Sequence, residues 1–160
     1  MTELELGGNQ LVTLPDSMAA LTALKKLYLR DNKFATLPKP IVIKLTSLTK
    51  LDLGFNQLVT LPDSMAALTA LETLRLSGNK FTTLPKPIVK LTSLTELDLR
   101  WNQLVTLPDT MAALTALATL YLNINPLVNP QSSAVEAWLT ALEAGECEVA
   151  MPADGDDGGW

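Results

Sequence analysis

Between Leu71 and Leu91 the apolar side chains fall at Leu71, Leu74, Leu76, Phe81, Leu84, Ile88 and Leu91, with mostly polar residues between them. In Leu74-Arg75-Leu76 apolar and polar residues alternate, the period of a short strand with one buried face. Asn79 follows where the chain must leave the strand, and a side-chain amide there can satisfy turning backbone. Pro85 prevents a strand from continuing, so Ile88 and Leu91 are expected to close the core from the opposite wall.

The same frame recurs along the chain. Asparagines stand at Asn9, Asn32, Asn56, Asn79, Asn102 and Asn125, spaced by 23, 24, 23, 23 and 23 residues. The longer interval comes from one extra residue in Ile41-Val42-Ile43-Lys44, where the later copy reads Ile88-Val89-Lys90. No single copy can bury its own leucines. Neighbours must stack, with parallel strands on one wall and looser turns on the other. The fold class expected is therefore an α/β solenoid, bent into an arc because strands pack more tightly than the outer turns. Alternate copies are most alike: Asn-Gln-Leu-Val-Thr-Leu-Pro-Asp begins at Asn9, Asn56 and Asn102, and Asn-Lys-Phe at Asn32 and Asn79. Phe34 and Phe81 replace a core leucine and are expected inside.

This frame resembles the leucine-rich-repeat family. It is most similar to the bacterial and intracellular Ras-signalling type, which carries Leu-Pro after the asparagine. The resemblance implies a horseshoe with a parallel β-sheet on its concave face, a ladder of stacked asparagines, and protein binding rather than catalysis. It covers residues 1–130, six repeats. Beyond it, Ala134, Val135, Trp138, Leu139 and Leu142 share one face of a short helix that Gly145 ends, a capping element over 131–150 with a final edge strand at Cys147-Glu148-Val149. Residues 151–160, rich in Gly and Asp, are expected to form a disordered acidic tail.

Charge and chemistry narrow the function. The net charge of −5 is concentrated at one end: seven of the 17 acidic residues follow position 135, leaving ten in the body against all 12 basic ones. A nearly neutral body offers no field for nucleic acid. Histidine is absent and Cys147 is the sole cysteine, beside Glu146 and Glu148, which should raise its pKa. No Ser-His or Cys-His pair, metal-spaced ligand set or phosphate loop exists, so neither cofactor nor metal is expected. Asp154-Gly155-Asp156-Asp157-Gly158 resembles only the start of a calcium loop. Lack of a disulfide favours a reducing, cytoplasmic setting, and neither a leader nor a membrane span is visible. Met1 already lies inside the first repeat, which is compatible with a longer parent chain.

The copies differ chiefly at outward strand residues and at the two residues after each strand. Gly54-Phe55 becomes Arg100-Trp101, and Lys50 becomes Glu96, while outer segments such as Asp16-Ser17 and Asp63-Ser64 are unchanged. A partner-binding site on the concave face is therefore expected at Tyr28, Arg30, Phe55, Arg75, Arg100, Trp101, Tyr121 and Ile124. Phe55 and Trp101 are expected to flank a gap at Gly78 about 10 Å wide. Asp52, Arg75 and Asp98 share one strand position and suggest a self-satisfying charge ladder. Met1, Leu4, Leu6, Leu11, Leu14 and Met18 should form a bare core edge, with Met1, Leu4 and Leu6 as a self-association edge for a homodimer. The function expected is a protein-binding adaptor or recognition module. A self-associating structural repeat protein and an engineered consensus scaffold are the alternatives.

Overall fold

A computed structural model describes residues 1–145 and 147–151, save the side chains of residues 39–41. Seven three-residue strands form one sheet in chain order: β1 Glu3–Glu5, β2 Lys26–Tyr28, β3 Lys50–Asp52, β4 Thr73–Arg75, β5 Glu96–Asp98, β6 Thr119–Tyr121 and β7 Glu148–Ala150. Every neighbouring pair is parallel, and the register places equivalent residues side by side, as in Leu51↔Leu74↔Leu97. The middle residue of β2 to β6 is buried, as the alternation requires, and the two beside it face the concave side.

The asparagine column ties successive turns together. The Nδ2 of Asn79 donates to the carbonyls of Leu53 (2.9 Å) and Leu76 (3.0 Å), while its Oδ1 accepts from the Leu58 N–H at 3.0 Å. The Leu76 carbonyl also receives the next amide, from Asn102 at 3.0 Å. The carbonyls of Leu6, Leu29, Leu53, Leu76 and Leu99 are each shared by two asparagines, so the ladder runs on from repeat to repeat. Phe34 and Phe81 are fully buried among the leucines.

The outer wall is built of short turns. Pro15, Pro62, Pro85 and Pro108 lead into 3-10 turns at Asp16–Ala20, Asp63–Ala67, Lys86–Lys90 and Asp109–Ala113. The extra residue near Ile43 changes this local structure: residues Lys39–Lys44 form an α-helical turn, α1, and Ile43 is 50% exposed. A small apolar cavity of about 20 Å³ lies beneath it, among Leu14, Leu37, Val42, Leu45 and Leu68. The second turn is therefore less closely filled than its copy at Ile88, which is fully buried.

Both ends depart from expectation in detail. Leu14 and Met18 are buried, because the first outer turn packs against α1, so the bare edge narrows to Met1 with the partly buried Leu4, Leu6 and Leu11. The outer side of β1 pairs with no strand among the described residues. At the other end α2, Ser133–Ala144, begins where the Ser132 hydroxyl accepts from the Val135 N–H, and buries Val135, Trp138, Leu139 and Leu142. Ala134, expected on that face, is exposed. Met151, placed by sequence in the tail, packs against the core, while the rest of that tail lies outside the described residues. Among the described residues no helix is long and apolar enough to cross a membrane.

Candidate recognition site on the concave face

The hydrogen-bonded ladder does not stop where the strands end. The N–H of Phe55 donates to Ser77 O at 2.7 Å, that of Gly78 to Arg100 O at 2.9 Å, and that of Trp101 to Asn123 O at 3.2 Å. One residue later the asparagine must turn inward. The residue between ladder and asparagine is forced into the left-handed region, with φ of 67° at Gly8, 56° at Asp31, 52° at Phe55, 66° at Gly78, 57° at Trp101 and 58° at Ile124. Glycine adopts this conformation freely. For an aromatic or β-branched residue it costs roughly 1–2 kcal/mol.

These strained positions form an apolar ledge along one side of the concave sheet. Trp101 is 53% exposed, Phe55 40% and Ile124 39%. The gap expected at Gly78 is not open: a Cβ built there would lie 2.8 Å from the Phe55 ring, so that ring already covers the glycine. The three side chains and the covered glycine follow one another along successive repeats.

Behind the ledge, cations cover the aromatic faces. The Arg30 guanidinium lies 4.4 Å from the Phe55 ring centre, with its Nε 3.1 Å from Asp31. Arg100 lies 4.6 Å from the half-buried Tyr121, and the Lys50 ammonium 5.9 Å from the half-buried Tyr28. Contacts of this kind contribute about 0.5–1 kcal/mol where exposed.

The register does align Asp52, Arg75 and Asp98, yet their pairing differs from a simple ladder. Arg75 Nε donates to Glu96 at 2.8 Å, which raises its pKa further. Asp98, almost fully buried, is held by Arg100: Nε donates to Oδ1 at 3.0 Å and Nη2 to Oδ2 at 2.8 Å. Asp52 instead accepts from the Gly54 N–H at 2.9 Å. The paired oxygens of Asp98 match the fork of the Arg100 guanidinium, a charge-assisted bidentate contact. Asp31, Lys50 and Glu96 also contact this site, although they lie outside the residues expected from sequence. The signal for Lys50 and Glu96 in the sequence is that they are equivalent positions that change between copies.

The sequence matches the family profile described as leucine rich repeat over residues 22–81, 46–104 and 69–127. No protein of curated function matches it. Among solved structures it is similar to an internalin, inlF, of Listeria monocytogenes, with 26% identity, a TM-score of 0.71, and coverage of 92% of this chain and 39% of that one. Internalin C2 of the same bacterium gives 27% identity and a TM-score of 0.74, covering 96% of this chain and 61% of the other. A leucine-rich-repeat protein of Leptospira interrogans gives 26% identity and a TM-score of 0.52, covering 94% and 54%. The chain thus spans less than two thirds of the length of each. The repeated profile, the asparagine column and the parallel sheet agree: this chain belongs to the leucine-rich-repeat family.

Proposed function

We propose that this chain is a recognition module that holds a protein partner against the ledge of Phe55, Trp101 and Ile124, backed by Tyr28, Arg30, Arg75, Arg100 and Tyr121. The observation that carries this reading is the strain. At one repeated position the fold accepts glycine at no cost, yet three repeats place a bulky apolar residue there and leave it exposed. Strained, exposed apolar groups clustered together favour a binding role. Protein binding is also the usual work of the family.

The reading is of a non-enzymatic module. The sequence contains no histidine, and burial, followed by Glu143 and Glu148, raises the pKa of Cys147, so its thiolate is scarce. A photo-crosslinking residue at position 101 or 124 should capture discrete proteins from the cells that express this chain. The same residue at Asp63 or Thr110 on the outer wall should not. Equal capture at both walls, or none at 101 and 124, refutes the assignment.

A further inference from the structure

Three of the four concave aromatics have a cation of this chain against the ring, Arg30 on Phe55, Arg100 on Tyr121 and Lys50 on Tyr28. Trp101 is the exception among the described residues, and it is also the most exposed of the four. The repeat frame explains why. Arg30 reaches Phe55 from the outward position just after strand β2, in the repeat before the ring. The equivalent position one repeat before Trp101 holds Ser77, whose side chain is too short to reach over an indole. Arg100, adjacent in sequence to Trp101, is held by both oxygens of Asp98 and lies on Tyr121. The ring with the strongest attraction for a cation is thus the one left without any.

We propose that Trp101 receives a cationic side chain from the partner, an arginine whose guanidinium stacks on the exposed indole as Arg30 stacks on Phe55. Arginine fits better than lysine because its flat, weakly hydrated group stacks on rings, as it does twice already on this face. The inference rests on the ledge being a recognition site. It fails separately: crosslinking at 101 tests whether a protein binds there, and the following experiment tests whether a cation is what the ring accepts.

The probe is acetyl-arginine amide, compared with acetyl-citrulline amide, which has nearly the same shape without the charge. The readout is the indole N–H resonance of Trp101, identified by its loss in Trp101→Gly. Arginine should shift it saturably and bind at least about threefold more tightly than citrulline, the discrimination expected of an exposed cation–ring contact. Ser77→Arg should supply the missing cation internally and suppress the response. Trp101→Leu, which keeps an apolar side chain and removes the ring, should abolish the arginine response at the Ile124 amide. Equal binding of citrulline, no shift with arginine, or a response that persists in Trp101→Leu overturns the proposal. If Ser77→Arg folds and responds like the unmodified chain, that overturns it too.

Discussion

Two neighbouring columns of residues run the length of this solenoid and obey opposite rules. The asparagines Asn32, Asn56, Asn79, Asn102 and Asn125 are buried, invariant and hydrogen-bonded on every side. The residues immediately before them, Asp31, Phe55, Gly78, Trp101 and Ile124, vary from copy to copy and share a left-handed backbone. One peptide bond separates a column that builds the fold from one that the fold merely tolerates. The left-handed backbone belongs to the second column alone. The columns differ too in what the side chain does: an asparagine amide satisfies backbone that has no other partner, whereas nothing in the chain requires an indole at position 101.

The largest effect should come from the first column. Asn79→Ala leaves the carbonyls of Leu53 and Leu76 still bonded to Asn56 and Asn102, at 3.1 and 3.0 Å, but strands the buried N–H of Leu58. An unsatisfied buried donor costs about 1–3 kcal/mol, and losing the other contacts brings the expected destabilisation to about 3 kcal/mol. Among the described residues Asn9 donates only to Leu6 O and Gly7 O, and it is exposed, so Asn9→Ala should cost well under about 1 kcal/mol by the same reasoning. Urea denaturation of the two variants measures the contrast. If both lose the same stability, the asparagines are not a shared ladder.

The recurrence of the first column was legible in the sequence, as was the ability of its amides to satisfy turning backbone, while their stacking into a ladder came from the family resemblance. Burial of Phe34 and Phe81 followed from the repeat frame, and the capping face of Val135, Trp138, Leu139 and Leu142 from helical spacing beyond it. The second column was legible in position and not in conformation. Gly8 and Gly78 in the same frame as Phe55 and Trp101 were the available signal that the backbone there is left-handed. Side-chain direction escaped for a different reason. Whether Phe55 leaves Gly78 open or leans over it, and whether Arg100 or Arg75 serves Asp98, depends on rotamers that spacing does not specify. The α1 turn and its cavity likewise depend on how one extra residue is absorbed, which strand periodicity does not decide.

A smaller effect should follow when the columns are made more alike at Gly78. In Gly78→Ala the new methyl meets the Phe55 ring at 2.8 Å in a backbone with φ of 66°. The left-handed strain costs about 1–2 kcal/mol, and the reduced freedom of the unfolded chain returns about 0.4–1 kcal/mol. Phe55 is 40% exposed and can swing aside, so the expected loss stays near 1 kcal/mol, again from those two terms. The ring leaves its place in doing so, and the Arg30 contact at 4.4 Å should break. Comparing the melting midpoint with ring-current shifts on the Arg30 protons checks both halves. A stable variant with unchanged Arg30 shifts contradicts the packing of Phe55 over the glycine.

The smallest change in stability, and the sharpest test of the comparison, belongs to Trp101→Gly. A buried aromatic replaced by a small residue costs about 3–5 kcal/mol in a core. Here two terms oppose. Relief of a left-handed backbone contributes about 1–2 kcal/mol, while the loss of the part of the indole that is covered and the greater freedom of an unfolded glycine take back a similar amount. Glycine already occupies this position at Gly8 and Gly78, so the backbone has no reason to rearrange. The net shift should stay within about 1 kcal/mol in either direction by the same accounting. Binding of whatever protein crosslinks at position 101 should weaken by about 2 kcal/mol or more, as for an aromatic anchor. Paired urea denaturation and titration with that captured protein read the two quantities independently. A Trp101→Gly chain that unfolds several kcal/mol more easily yet binds its partner undiminished would move the indole from the recognition column into the structural one.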